Sequence, residues 1–326
     1  GSKCKNSDHE GICTLEPDCA EASKEIEKYG FHNLTRCGFQ KFTEIVCCPT
    51  TSVRSVEPDA VRKSVQACDN YTKNAPVFVG GQVSGGVNAE MGDFPHMVAL
   101  GLYSNQEDLY KFKCGGSLIS NKYVITAAHC IVNIERLELK IVRMGVIEVP
   151  ETAKEPNPVY DYKVKNFTTH KNYKRNGIND IALVELEQPV ATFSDYIRPA
   201  CLYTKDDDPG EFVIPGWGEL DSTSRRSNIL QKATVSSVPF PECNRRYLKS
   251  YSWKLTDEDG QLCAVGNTSD TCSGDSGGPL QMRNSKAAVV VGITSTGGGI
   301  CGSTFVPTIY TKIYKHLNWI EEIVWP

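Results

Sequence analysis

The chain has 326 residues, 40% of them hydrophobic, and a formal net charge of −4 at pH 7. That near-balance leaves no electrostatic footprint for nucleic acid or an anionic membrane surface, and no apolar run reaches the roughly 18 residues of a membrane span. Fourteen cysteines, an even number without Cys-x-x-Cys/His metal spacing, point to disulfides and an oxidising compartment.

Residues 4 to 48 hold Cys4, Cys13, Cys19, Cys37, Cys47 and Cys48. A segment this short cannot build a large core and depends on covalent staples. Counting alone leaves the connectivity open, and another small knotted or inhibitor-like module carries the same signature. The adjacent pair Cys47-Cys48 followed by Pro49 resembles the clip domain of arthropod cascade proteases. That resemblance implies the pairs Cys4–Cys47, Cys13–Cys37 and Cys19–Cys48. A short helix is expected over Glu21 to Tyr29, with Asp18 or Ser23 near its start.

Residues 49 to 82 turn polar, carry Pro58 and Pro76 and show little periodicity, which reads as a linker and activation segment. Cys68 stands alone there, and Cys201 is the odd cysteine of the larger region beyond it, so the two are expected to join. Two Gly-Gly pairs come next, in Phe78-Val79-Gly80-Gly81 and Val83-Ser84-Gly85-Gly86. From Gly86 on, short β-branched runs alternate with turn residues. Met97 to Leu102, Ser117 to Ser120, Tyr123 to Thr126, Leu139 to Arg143, Ile181 to Leu186 and Ala288 to Ile293 read as strands. Many strands with scattered cysteines suggest antiparallel barrels rather than a parallel sheet. Lys312 to Trp325 places Ile313, Leu317, Ile320 and Val324 near helical spacing, as in a docking terminal helix.

Three segments of this larger region carry chemistry. Thr126-Ala127-Ala128-His129-Cys130 supplies a histidine, and Asn179-Asp180-Ile181-Ala182-Leu183 an aspartate. Asp270-Thr271-Cys272-Ser273-Gly274-Asp275-Ser276-Gly277-Gly278-Pro279-Leu280 sets a serine among glycines. Those glycines allow a tight turn and bring bare amides close to a substrate carbonyl. A Gly-Ser loop alone is common, and a lone histidine or aspartate is more often structural; three such segments in the order His, Asp, Ser are another matter. Together they resemble the chymotrypsin-like serine proteases.

The resemblance implies an all-β fold: a chymotrypsin-like double six-stranded β-barrel with a C-terminal helix, preceded by a small disulfide-rich clip domain. The implied domains are a clip domain (4–48), a linker and activation segment (49–82) and a trypsin-like serine protease domain (83–326). Ser276 becomes the nucleophile, His129 its general base, and Asp180 the group that orients the imidazole; the Gly274 and Ser276 N–H groups form the oxyanion hole. Cleavage at Gln82–Val83 is expected to activate a zymogen, because Ala89, Gly92, Asp93, Phe94 and Pro95 follow in register from Val83 and not from Phe78. The freed Val83 amine would pair with Asp275; an α-amine ordinarily titrates at roughly 7.7–8.0, so it is mostly charged at or below neutral pH. Leaving that carboxylate buried alone costs about 3–5 kcal/mol. Gln82 departs from the basic residue usual before such a cut.

By the same resemblance Cys114–Cys130, Cys243–Cys263 and Cys272–Cys301 are pairs, Cys68–Cys201 tethers the halves, and Phe212 replaces a further cysteine of relatives. Asp270, Gly297 and Thr308 line the specificity pocket, with Arg or Lys expected before the cut bond; Thr308 stands where glycine is usual, so a small-residue preference is the rival. Ser295 pairs with substrate backbone, and Thr296 replaces a usual tryptophan. Secretion into haemolymph is expected, with Asn33, Asn70, Asn166 and Asn267 as glycosylation acceptors. No cofactor is required; calcium at the Glu148 to Asp161 loop is a poor match, and Asp206-Asp207-Asp208 is a solvated acidic turn before it is a cation site. Phe94 to Met97 and Arg198 to Leu202 carry signatures of the Persephone-like subclass. Those signatures imply a place in an immune proteolytic cascade of the Toll or melanisation type. The implied partners are a downstream clip-protease zymogen as substrate, an upstream activating protease and serpin inhibitors, with no nucleic acid or membrane partner. The alternatives are a catalytically inactive clip homologue serving as a cofactor or binding module, and a stand-alone digestive protease.

Overall fold

The computed structural model describes residues 2–6, 9–29, 31–40, 43–49, 61–73, 86–132, 134, 136–218, 226–252, 254–255, 260–266, 275–283, 286–296 and 306–326. The chain divides into two compact units, 1–62 and 63–326.

In the first unit, strands β1 (Lys3–Asn6), β2 (His9–Leu15), β3 (Arg36–Gln40) and β4 (Thr43–Pro49) form an antiparallel sheet in the order β1-β2-β4-β3. Helix α1 (Ala20–Tyr29) lies between β2 and β3 in sequence, one residue longer than expected. The sheet itself has no sequence signal, since its strands lack a clean apolar alternation. Three disulfides, Cys4–Cys47, Cys13–Cys37 and Cys19–Cys48, close it. The adjacent cysteines of β4 point to opposite faces, as strand geometry requires, so one short strand anchors both β1 and the start of α1. The core consists of little more than Cys19, Ala22, Val46 and Cys48, all fully buried.

The polar linker is not uniformly irregular. Helix α2 (Lys63–Thr72) occupies it between Pro58 and Pro76, and it belongs to the second unit. Its buried positions, Ser64, Ala67 and Thr72, are small or polar, so hydropathy gives no periodic signal there. The Cys68–Cys201 disulfide fixes the helix to the short strand Cys201–Leu202, and the C-terminal helix also packs against it.

Two closed barrels make up the remainder. After β5 (Val87–Asn88), the first barrel takes β6 (Met97–Ser104), β7 (Leu109–Leu118), β8 (Tyr123–Thr126), β9 (Leu137–Met144), β10 (Thr152–Ala153), β11 (Asp161–Thr169) and β12 (Ala182–Leu186). Six of these run β7-β6-β9-β11-β12-β8 and close through β7–β8, with β10 outside the ring. The second barrel takes β13 (Cys201–Leu202), β14 (Glu211–Gly216), β15 (Gln231–Val238), β16 (Gln261–Gly266), β17 (Pro279–Arg283), β18 (Ala288–Thr296) and β19 (Thr308–Lys312). Its ring is β18-β17-β14-β15-β16-β19, closed by β18–β19. The expected Ser117 to Ser120 strand is the end of the longer β7.

Helix α3 (Phe240–Tyr251) and helix α4 (Leu317–Val324) complete the unit. Leu317, Ile320 and Val324 of α4 are buried in the same core as Val124, Ile125 and Leu183 of the first barrel. The terminal helix starts later than its apolar pattern suggests, because β19 runs to Lys312 and a 3-10 turn covers Tyr314–His316. Phe212, in the place of a cysteine, fills the core of the second barrel beside Val235 and Tyr310.

Candidate active site

His129 sits in a 3-10 turn, Ala128–Cys130, that follows β8. Asp180 precedes β12 and is 2% exposed. The β8–β12 pairing, Thr126 opposite Ala182, brings the two segments side by side. Asp180 Oδ2 lies 2.7 Å from His129 Nδ1, and Oδ1 accepts the His129 backbone N–H at 2.9 Å. Ser295 Oγ donates to the same Oδ2 at 2.6 Å, and the Thr311 hydroxyl donates to the Asp180 carbonyl at 3.0 Å. The His129 amide and the Ser295 hydroxyl thus fix a buried carboxylate against the imidazole. Burial, then the Asp180 charge, push the Tyr173 hydroxyl above its ordinary range.

Ser276 lies in the turn before β17, half-buried. Gly277 has φ +78°, and a Cβ there would stand 2.2 Å from Thr126 Oγ1 and 2.6 Å from the Gly115 carbonyl, so only glycine fits. The turn is fixed by Gly277 N–H to Thr294 O (2.8 Å) and Gly278 N–H to Asp275 O (2.9 Å). Gly115 N–H donates to Ser276 O at 2.8 Å, and the next residue back, Cys114, is disulfide-bonded to Cys130 beside His129. One hydrogen bond and one disulfide thus connect the serine segment to the histidine segment. Asp275 receives the Gly218 N–H on Oδ1 at 2.8 Å.

Gln82, Val83, Asp270, Gly274 and Gly297, the Cys272–Cys301 pair and Asn267 lie outside the described residues. Thr308 opens β19 opposite Ala264 and is fully buried. Asn33, Asn70 and Asn166 are exposed. Cys243–Cys263 joins α3 to β16. In the Glu148 to Asp161 loop, the Asp161 carboxylate is already engaged by protein donors. Asp161 takes both Arg143 Nε and Nη2 at 2.7 Å and the Asn157 N–H at 2.6 Å, and Arg143 also covers the Phe112 ring. The acidic turn is likewise spent on protein donors: Lys312 on Asp206, Tyr203 on Asp207, and Gly210 N–H with Ser237 on Asp208. Burial, then Asp207, hold the Tyr203 hydroxyl up at about 12.

The Trypsin family model matches residues 83–320. The chain belongs to the trypsin family. It is also 32% identical to Serine protease snk of Drosophila melanogaster, over 99% of this chain and 78% of that protein. Spaetzle-processing enzyme of the same fly is 31% identical over 90% of this chain and 82% of its own length. CLIP domain-containing serine protease B8 of Anopheles gambiae is 30% identical over 97% and 88%. The chain is a clip-domain serine endopeptidase with the chymotrypsin-like double barrel, a chemistry that needs no cofactor.

Proposed function

We propose that Ser276 attacks the scissile carbonyl while His129 takes its proton and later returns it to the leaving amine. Asp180 fixes the imidazole and stabilises its charged form; the Ser276 and Gly274 amides receive the oxyanion. The observation that carries this reading is the Asp180–His129 pair at 2.7 Å on a carboxylate that is 2% exposed. In this reading the uncut chain is a zymogen, and the cut at Gln82–Val83 frees an amine for Asp275. The product cleaves after Arg or Lys through Asp270, with Gly297 open and Thr308 narrowing the pocket. Ser295, already spent on Asp180, offers its backbone to substrate.

Likeness to a Spaetzle-processing enzyme supports a place in an arthropod immune cascade of the Toll or melanisation type. The substrate is then a downstream protease precursor, the activator an upstream protease and the inhibitors serpins, in an extracellular fluid such as haemolymph. No calcium is needed, since Arg143 supplies the positive charge at its loop.

The test is labelling with a serine-directed phosphonate after activation. Label should appear only on a fragment whose N-terminal sequence starts at Val83, and Ser276→Ala should abolish it. A fragment starting at Phe78, or labelling of the uncut chain, sinks the activation reading. Peptide libraries cut mainly after Ala or Val would reassign the pocket to small residues.

A further inference from the structure

Asp275 is walled by backbone. A Cβ on Gly216 would stand 1.8 Å from its Oδ1, and one on Gly218 2.5 Å from its Oδ2. The segment 216–218 therefore sets where this carboxylate sits. Within that segment, the Trp217–Gly218 peptide gives its N–H to Asp275 Oδ1 at 2.8 Å. The carbonyl of that same peptide accepts Arg226 Nη2–H at 3.3 Å. Arg226 Nη1–H meanwhile donates to the Phe112 carbonyl at 2.5 Å, on β7. Two residues further along β7 comes Cys114, and then Gly115, whose N–H holds Ser276. A single guanidinium thus touches both the peptide that holds Asp275 and the strand that holds Ser276.

Among the described residues, no carboxylate pairs with this partly buried guanidinium. Both acceptors are neutral carbonyls, and Arg226 Nε is buried without a partner among the described residues. Glu151 lines the same small cavity, and among the described residues no ion pair joins the two. A buried donor left unpaired is a cost, and a cation on a carbonyl strengthens the N–H at the other end of the peptide as a donor. Other braces of the segment are neutral: the pairing of Gly216 with Gln231 in the β14–β15 ladder, Trp217 Nε1–H to Ile147 O and Ser227 N–H to Gly218 O.

We propose that Arg226 is a positioning residue: through the Trp217–Gly218 peptide it holds Asp275, and through Phe112 it ties that carboxylate to the strand beneath the nucleophile. The inference rests on the proposed activation mechanism for its kinetic consequence, but not for its structural one.

The test therefore has two arms, both on the full chain with Arg226→Gln and Arg226→Lys. In the first, amide exchange at Gly218 should speed up about tenfold in Arg226→Gln, the size of one lost charge-assisted bond. Unchanged exchange overturns the proposal outright. In the second, the enzyme cut before Val83 is assayed on an Arg-anilide peptide. Arg226→Gln should lose about tenfold or more in kcat with KM little moved. Its alkaline limb should fall at lower pH, because a loosened Asp275 leans harder on the protonated amine. Arg226→Lys should recover part of kcat. Equal losses in both variants that track a fall in Tm, with the alkaline limb unmoved, would show a merely structural staple. If the wild-type enzyme starting at Val83 is itself inert, the activation mechanism falls and the exchange arm still decides the role of Arg226.

Discussion

The two units of this chain reach stability by opposite routes. Among its described residues the first buries five core hydrophobics, three of them half-cystines, and closes a four-stranded sheet with three disulfides. The second buries a continuous apolar core running from Val98 through Leu183 to Val324, and its disulfides sit at particular joints. A small unit cannot remove enough apolar surface from water to offset its chain entropy, so cross-links constrain the unfolded chain instead. In the second unit the same bond type serves position: Cys114–Cys130 ties β7, whose Gly115 N–H holds Ser276, to the histidine turn, and Cys68–Cys201 ties α2 to β13. The units should therefore fail separately, and in different ways.

The largest separation is chemical. Ser276→Ala or His129→Ala should cost on the order of 10⁶-fold in kcat, and the double variant scarcely more, because the groups act as a unit. Disulfides and the melting of the first unit should be unaffected. Additive losses on a short-peptide assay would mean that the roles are wrongly assigned.

Next comes the reverse operation. Replacing both Cys19 and Cys48 by alanine removes a staple from the core of the first unit, at about 2–5 kcal/mol. That unit should become sensitive to limited proteolysis while the activated enzyme hydrolyses a short peptide at its normal rate. A parallel fall in peptidase activity would show that the second unit depends on the first.

At the linker helix, covalent and packed contacts coincide. Glu321 of α4 accepts both the Ser64 N–H (3.2 Å) and the Ser64 hydroxyl (2.5 Å) at the N-terminus of α2, where a carboxylate also meets the helix dipole. Lys63 Nζ donates to the Trp325 carbonyl, Trp325 Nε1–H to the Tyr71 hydroxyl, and Tyr71 packs edge-on against Phe193. After activation, Cys68→Ser halves should part on a denaturing non-reducing gel yet co-elute in native buffer. Adding Glu321→Ala, worth about 1 kcal/mol as a lost cap, should weaken that co-elution. Native separation of Cys68→Ser alone would show that the disulfide is the whole tether.

How much of the molecule is legible in its residues depends on where partners lie. His129, Asp180 and Ser276 announce themselves because each sits in a short segment whose neighbours also serve the site: Cys130 bonds beside the histidine and Gly277 clears room for Thr126. Helix α2 escapes a reading by periodicity since its buried face is Ser64, Ala67 and Thr72, residues that fit under hydrogen bonds rather than repel water. Arg226 is invisible for a different reason. Its partners are backbone carbonyls 114 and 9 residues away, and a carbonyl has no letter in the sequence. The Asp161–Arg143 pair is nearly as hidden, although both ends are side chains, because strands β9 and β11 bring them together only in the closed barrel.

The smallest effect concerns pH, and it distinguishes the second unit's packed core from the first unit's staples, which do not titrate. Burial, then the neighbouring His316 and Lys171, hold the His170 imidazole below its ordinary value. Its ring packs edge-on against both His316 and Trp319, and its Nδ1 accepts the Asn172 N–H at 3.4 Å, a bond that protonation would break. Because the folded value lies below the unfolded one, the unfolded chain binds more protons between the two. Stability is then full above the unfolded value of about 6.5 and declines as pH falls from there through the folded value. The partly exposed Glu242, held down at about 2 by hydrogen bonds from Arg245 and Arg246, behaves in the same sense but at far lower pH, so it does not overlap this window. His170 is partly exposed, so solvent screening keeps the effect small. Replacing His170 by glutamine should flatten the decline in Tm of the second unit between pH 7 and 5 by about 1–2 °C, leaving its acid unfolding near pH 2 alone. A decline that is unchanged in His170→Gln would move the sensitivity to another group of the barrel.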